Sequence, residues 1–391
     1  MSKKILIHSL VFSPDGVSTA YLYNDIALKF RESGYEVSVL TTTPHYNAVD
    51  SELKKQPLKK RKLGLYYESY FNGIKVKHVR QKKHKSTARR LLGFVYWHLV
   101  SFFLALSEKK IDIILSPSPP LTIGFLNILI GKLKGAKVIY NIQEIYPDLL
   151  IEEGGLKSGM TISFLKWMER YVYNKSDAAT TIDEIFYNTI ALRFKDKSKL
   201  HIIPNFVDTD IYKPIDKSDL NLDKDLFPDK DSVKVMYAGN IGFAQDWNPL
   251  IELADELKND SVEFFVIGEG AEKERLLQEK ENRKLDKLHV IPYLPRELMP
   301  SLLAYSDIQF IFMAPSTEGH GFPSKVYTIM ACAKPLIVIS GENTPIINFL
   351  QDKDCAFLLT KKDLQTNVAY IADILRRSEE HTSELQSHHD L

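Results

Sequence analysis

The stretch Pro315-Ser-Thr-Glu318-Gly319-His320-Gly321-Phe322-Pro323-Ser324-Lys325-Val-Tyr-Thr328-Ile-Met-Ala331-Cys-Ala-Lys-Pro335 decides the reading of this chain. It follows a strand-like apolar run, Ile308–Met313, and opens a helix over Ser324–Cys332 whose start is marked by Pro323 and Ser324 and whose end is marked by Lys334-Pro335. A glycine-rich turn between strand and helix gathers bare backbone N–H groups and the positive end of a helix dipole at one point, which suits a phosphate. Lys325 adds a full positive charge in the first helical turn, where the dipole alone disfavours a cation, so an anion is expected beside it. Glu318, on the turn, is placed to reach hydroxyl groups of whatever that phosphate carries. A plain Gly/Pro turn with a solvated Glu and Lys fits the same window, and the rest of the chain discriminates.

At 391 residues the chain exceeds the usual single-core size, which predicts two domains. A hydrophobic content of 44% with 26% charged residues describes a soluble globular protein. Cys332 and Cys355 are its only cysteines, which excludes a disulfide scaffold and a four-cysteine zinc site. The N-terminal apolar run Ile5–Leu10 is interrupted by His8 and Ser9 and reaches Ser13-Pro14-Asp15-Gly16, so it reads as a first strand rather than a signal peptide, and a cytoplasmic location is expected.

Net charge is +1, yet residues 1–110 hold 20 Lys/Arg against 8 Asp/Glu, and between Lys54 and Arg90 the count is 14 basic to one acidic, Glu68. One end of the molecule therefore carries a cationic face. Nucleic-acid binding is set aside, because no stacking motif or helix-turn-helix pattern accompanies the lysines. A solvated loop and a docking site for an anionic inner membrane remain. The second is favoured because Lys82–Arg90 runs directly into Leu91-Leu-Gly-Phe94-Val-Tyr96-Trp97, the start of an aromatic-rich helix over 88–106 that is too short to span. Core packing is the competing role for that helix, whose apolar residues go nearly all round.

Apolar periodicity predicts strand Lys4–Val11, helix Ser18–Ser33 and strand Glu36–Thr41, a βαβ unit with Gly16 in its first turn. Alternation continues through strands near 74–78, 111–116, 137–142 and 178–181 and helices near 88–106, 121–134, 162–174 and 184–193. A second series begins after Ile203-Pro204-Asn205-Phe-Val-Asp208 and a polar segment over 213–231, with strands near 233–238, 262–267, 290–291, 308–313 and 336–340. The expected architecture is α/β, two doubly wound Rossmann-like domains facing across a cleft, residues 1–208 and residues 209–376. Residues 377–391 resemble translated sequencing-library adapter, so they are expected to be an artefact and His381, His388 and His389 no metal site.

Several further stretches carry a family resemblance: Gly34-Tyr-Glu36 through Thr41, Thr43-Pro44-His45-Tyr46, Gln143-Glu144-Ile-Tyr146-Pro147-Asp148, Tyr237-Ala-Gly239-Asn240-Ile-Gly242, Ile267-Gly268-Glu-Gly270, and Glu318 with Gly321–Lys325. In this order and spacing the sequence resembles family 4 glycosyltransferases of the GT-B fold, in particular the bacterial cell-surface polysaccharide group that includes N-acetyl-L-fucosamine transferases. The resemblance implies retaining transfer from a nucleotide-sugar donor, UDP ahead of GDP, to an undecaprenyl-linked acceptor at the inner face of the plasma membrane, with neither cofactor nor metal. It implies that Gly239, Asn240, Gly242, Gly268, Gly319, His320, Gly321, Phe322, Pro323 and Ser324 line the donor, with Lys325 on the departing phosphate. Glu318 falls on the first glutamate of the family's pair, which contacts the transferred sugar. The second, which holds the ribose, falls on Thr328, and Asn240 stands where relatives often have Arg. Leu294-Pro295 lies where base-contacting backbone sits, although a plain turn fits it equally.

In the first domain Glu144 follows a strand where relatives often carry Asp, and it is placed to take a proton from the acceptor or to stabilise positive charge on the sugar. A helix cap or ion-pair role suits it too. Asp15, Gly16, His45 and Tyr46 are expected to line the acceptor side, with a backbone-satisfied imidazole the alternative for His45. A nucleotide-sugar 2-epimerase and a non-catalytic nucleotide-binding scaffold remain as competing functions on the same fold.

Overall fold

The computed structural model describes residues 2–45, 50–82, 86–152, 155–228, 230–318, 322–360 and 363–380. Its contacts divide the chain into two units, Met1–Asn205 and a second beginning at Phe206, a few residues before the junction expected at 208/209.

The first unit runs β1 (Lys4–His8), α1 (Ser18–Glu32), β2 (Glu36–Thr42), α2 (Asp50–Lys55), β3 (Lys59–Arg61), β4 (Tyr66–Phe71), β5 (Ile74–Val79), α3 (Thr87–Leu106), β6 (Ile113–Ser118), α4 (Leu121–Lys134), β7 (Lys137–Ile142), α5 (Asp148–Glu152), α6 (Gly159–Lys175), β8 (Ala178–Thr181), α7 (Glu184–Ile190) and β9 (Leu200–Ile202). Among the described residues these strands form one sheet, β3-β4-β5-β2-β1-β6-β7-β8-β9. From β5 to β9 every pairing is parallel, beginning with Lys4 opposite Glu36. Continuous burial along β1 and β2 is what a strand covered on both faces requires.

β3, β4 and β5 pair antiparallel, so 59–79 is sheet edge rather than the solvated loop that competed with membrane docking for the region 54–90. The basic run Lys59-Lys60-Arg61 is an exposed edge strand, and Glu68 opposite Lys59 accepts ion pairs from Arg61 at 3.1 Å and Lys75 at 2.9 Å. β1 also ends earlier than expected, at His8.

The second unit runs β10 (Val233–Ala238), α8 (Asn248–Glu256), β11 (Val262–Ile267), α9 (Lys273–Arg283), β12 (Leu288–Ile291), α10 (Met299–Tyr305), β13 (Ile308–Phe312), α11 (Lys325–Ala331), β14 (Leu336–Ile339), α12 (Pro345–Leu350), β15 (Ala356–Leu359) and α13 (Leu364–Glu380). Its sheet is all parallel in the order β12-β11-β10-β13-β14-β15. The order reverses between β10 and β13, and open sheets of this kind bind ligands beyond the strand ends at such a reversal. Two departures from expectation stand out. α11 is shorter at both ends than the predicted Ser324–Cys332, and α13 continues through residues 377–380, past the point where the periodic pattern stops. Residues 381–391 lie outside the described residues.

Small residues let the layers close. A Cβ built on Gly124 of α4 falls 2.6 Å from Tyr140 Cε2 and 2.9 Å from Val172 Cγ1, and both neighbours are buried. Gly124→Ala should therefore cost about 1–3 kcal/mol by overpacking. Gly159→Ala at the start of α6, where nothing lies within 4 Å, should be neutral or mildly stabilising. Chemical denaturation of the two variants beside the parent checks the pair.

Candidate functional site

The described residues among those expected to line a donor converge because the turns after four neighbouring strands are stitched together. After β10, Gly239 N–H donates to Ile267 O at 2.9 Å and Ile241 N–H to Glu269 O at 2.9 Å, so the turns after β10 and β11 lie directly on each other. Both Gly239 and Gly268 adopt φ near +150°, a region side chains avoid. A Cβ on Gly268 would fall 1.9 Å from Gly239 O, and one on Gly270 would fall 2.0 Å from Ile241 O. On the other side Asp246 N–H donates to Phe312 O at 2.8 Å and Ala314 N–H to Ala244 O at 3.1 Å, tying the loop after β10 to the turn after β13. Trp247, buried, donates from Nε1 to Gly242 O at 3.1 Å and holds that loop from beneath.

Lys325 begins α11, but its ammonium does not point away from the sheet. Nζ donates to Ala238 O at 3.2 Å and lies 3.4 Å from the centre of the Tyr237 ring. A Cβ on Gly239 would fall 2.7 Å from Nζ, so glycine is what admits the lysine. Tyr237 is fixed in turn by its hydroxyl, which donates to Asn240 O at 2.8 Å. Among the described residues no carboxylate pairs with the ammonium, and burial pushes it down to about 7. Against the ordinary lysine range this makes the charged form dearer by on the order of 5 kcal/mol. An approaching anion would reverse that cost.

Glu318 follows β13 and is partly exposed; its Oε2 accepts from Gly341 N–H at 2.6 Å, so the turn after β14 orients the carboxylate. A Cβ on Gly341 would fall 2.7 Å from Glu318 Oε1. Thr328 donates from Oγ1 to Lys325 O at 2.7 Å, which occupies its donor inside the helix and leaves oxygen lone pairs for a ligand. Phe322 packs against Tyr327 and Phe349 rather than standing free, with ring centroids 5.3 and 5.1 Å away. Pro323 is partly exposed, and Ser324 is exposed with no capping bond from its side chain. Leu294 is partly buried against the core beneath β10 and β11, while Pro295 is exposed and starts a single 3-10 turn. Gly319, His320 and Gly321 lie outside the described residues.

The first unit gathers its own cluster beyond β1, β2 and β7. Asp15 is 2% exposed and its Oδ2 accepts from His45 N–H at 3.1 Å, joining the turn after β1 to the turn after β2; Gly16 beside it is buried. The His45 Nδ1 lies 3.0 Å from Thr43 O and 3.1 Å from Thr42 Oγ1, so the imidazole is anchored to its own turn. Tyr46 lies outside the described residues. Glu144 is partly exposed two residues beyond β7, and its carbonyl accepts from Ser118 Oγ at 3.0 Å. It is not a helix cap, since α5 begins at Asp148.

Sequence reading missed the groups that do the holding. Tyr237 and Ala238 stand in a stretch that carries the resemblance, but nothing in it says that they hold Lys325, and nothing local assigns the Gly341 N–H to Glu318. The same is true of the relay beside Glu144, where Gln143 donates to Asn141 Oδ1 at 2.9 Å and accepts from Asn205 at 2.9 Å. Tyr23 donates to that same Asn141 oxygen.

Comparison with known proteins bears on both units. Residues 20–211 match the family described as Glycosyltransferase Family 4, and residues 219–386 match that described as Glycosyl transferases group 1. WcaI of Escherichia coli strain K12, named for a glycosyl transferase role in colanic acid biosynthesis, is 22% identical over 362 residues, covering 88% of this chain and 84% of that protein. WbjE of Pseudomonas aeruginosa, named as a glycosyltransferase, is 22% identical over 278 residues, covering 70% and 68%. The crystal structure of Anabaena HepE in complex with UDP-glucose covers 98% of this chain and 91% of its own with a TM-score of 0.68 at 15% identity, a likeness of fold. With one match on each α/β unit and the strand-end turns arranged as described, the chain belongs to glycosyltransferase family 4 and has the GT-B fold.

Proposed function

We propose that the chain is a retaining hexosyltransferase that moves a sugar, an N-acetylated deoxyhexose by its resemblance, from a UDP-sugar to a lipid-linked oligosaccharide during assembly of a capsule, O-antigen or exopolysaccharide. The observation that carries this reading is the enclosed ammonium of Lys325 at the β10/β13 reversal, which pairs with no carboxylate among the described residues. A group held at about 7 is close to half neutral at physiological pH and becomes fully charged when a diphosphate arrives. The name of WcaI and the UDP-glucose held by HepE support the pathway and the donor class.

In the step itself the bond from the sugar's anomeric carbon to the β-phosphate oxygen breaks, and a bond from that carbon to the acceptor oxygen forms on the same face. The acceptor's proton passes to the departing phosphate or to Glu144. Charge grows on the phosphate as the sugar becomes oxocarbenium-like, so donors fixed beforehand supply much of the rate. Here they are Lys325 and the backbone of the turn from Gly239 to Gly242. Glu318, held by Gly341 N–H, accepts from hydroxyls of the transferred sugar. Thr328 gives the ribose a weaker grip than a second carboxylate would. The basic region 54–90 and α3 seat the first unit on the inner face of the plasma membrane, where lipid-linked acceptors reside.

Thermal shift with UDP, GDP, ADP and CMP tests the donor site: UDP should raise the melting temperature and Lys325→Met should abolish the rise. A parent protein that responds to none of the four has no such site. Glu318→Gln should keep the UDP shift while cutting transfer from UDP-sugar to a lipid extract about 100-fold or more. Between pH 7 and 10.5 the unfolded chain binds more protons than the native one at Lys325, so the Lys325 contribution to stability rises with pH over that window. Lys325→Met removes this slope and should therefore stabilise the ligand-free protein more at pH 7 than at pH 10, as melting temperatures at the two pH values would show.

A further inference from the structure

The apolar surface of the first unit extends well beyond the basic region 54–90 and α3. α3 packs on α4 and α4 on α6, so the three helices form one layer on the same side of the sheet. Among the described residues α3 alone is long and apolar enough to cross a bilayer, yet Trp97, Val100, Leu104 and Ala105 are built into the core, so it belongs to the unit's helical layer. Its outer side leaves Leu92, Leu99 and Phe103 at least 56% exposed. α4 adds Leu129 and Leu133, and α6 adds Trp167, 52% exposed and ringed by Phe125, Phe164 and Tyr171 at 5.2 to 6.4 Å between aromatic neighbours.

Charge on this layer has one sign. α3 and α4 contain no Asp or Glu, and the one carboxylate of α6, Glu169, is 1% exposed and paired with Arg193. Arg89, Lys132, Lys166 and Arg170 are exposed among the apolar residues. A hollow at each end repeats the combination. One of about 390 Å³ lies between Lys62 and the Leu99–Phe103 side of α3, and one of about 500 Å³ sets Arg170, Lys175 and Lys195 beside Trp167. An apolar plane with an indole, basic rims and no exposed carboxylate is complementary to a lipid bilayer whose head groups are anionic.

We infer that the whole α3–α4–α6 layer is the membrane seat of this protein, with the Trp167 cluster on α6 as a second anchor separate from the basic region 54–90. The inference rests on the lipid-linked acceptor proposed above, but its test does not use the donor site. Trp97 and Trp247 are at most 1% exposed, so Trp167 is the tryptophan that reports on this surface. The full chain is mixed with vesicles of phosphatidylcholine alone or with 30% phosphatidylglycerol, some carrying brominated acyl chains. The expected result is quenching and blue-shift of tryptophan emission with brominated anionic vesicles only, lost in Trp167→Phe. Leu129→Glu combined with Phe164→Glu should weaken flotation with anionic vesicles at least 10-fold while leaving the circular-dichroism spectrum and the ligand-free melting temperature at parent values, which shows the variant folded. Undiminished flotation of that double variant, or equal binding to neutral vesicles, overturns the inference. So does a blue-shift that depends on protein concentration without vesicles, since that marks a second copy as the occupant.

Discussion

Lys325 sits where it does because residue 239 has no side chain. Any Cβ there would fall 2.7 Å from the ammonium, and the φ of +151° that opens the space excludes other residues on its own account. The same glycine admits the neighbouring turn, since its carbonyl occupies the position a Cβ on Gly268 would need. One bare backbone position thus lets two strand-end turns close on each other and lets a cation lie beneath them on the Tyr237 ring. The consequence is electrostatic. An ammonium with one carbonyl and one aromatic face around it is poorly solvated, and it is ready to gain from a phosphate what a surface lysine would not.

The arrangement links fold to chemistry through the sheet order. Because β13 returns beside β10, turns distant in sequence meet at the reversal, and hydrogen bonds from Asp246 and Ala314 fasten them. Glu318 is fastened in the same manner by the turn after β14. Each functional side chain is therefore held by a different strand end than the one that carries it. For the transfer proposed above, such holding would give preorganisation, because the donors would not need to reorient as charge develops on a leaving phosphate.

Much of this was readable before the coordinates. The glycines at 239, 242, 268 and 270, the strand before Pro315 and the helix after Ser324 all carry local signals, and they locate the site. What was not readable depends on long-range partners. Gly341 lies 23 residues from Glu318, and nothing at Ser340-Gly341 says whose carboxylate its N–H will meet. The direction of Lys325 was also hidden, because the first-turn position alone puts a lysine in solvent. β3 has three exposed basic residues and no alternation, so only its pairing with β4 makes it a strand. Conversely α3 was legible as an amphiphilic helix with basic flanks, while the Trp167 cluster on α6 emerged only when α4 was seen to join the two.

The central claim is that Lys325 receives the donor's diphosphate in a site where burial has already removed part of its charge. The most direct measurement is calorimetric titration of UDP at pH 8 in two buffers of different ionisation enthalpy, on the parent and on Lys325→Met. The account predicts uptake of most of one proton per UDP bound by the parent, because the bound diphosphate raises an amine that starts at about 7, and its loss in the variant together with affinity. Equal affinity in both proteins with no proton uptake would contradict it.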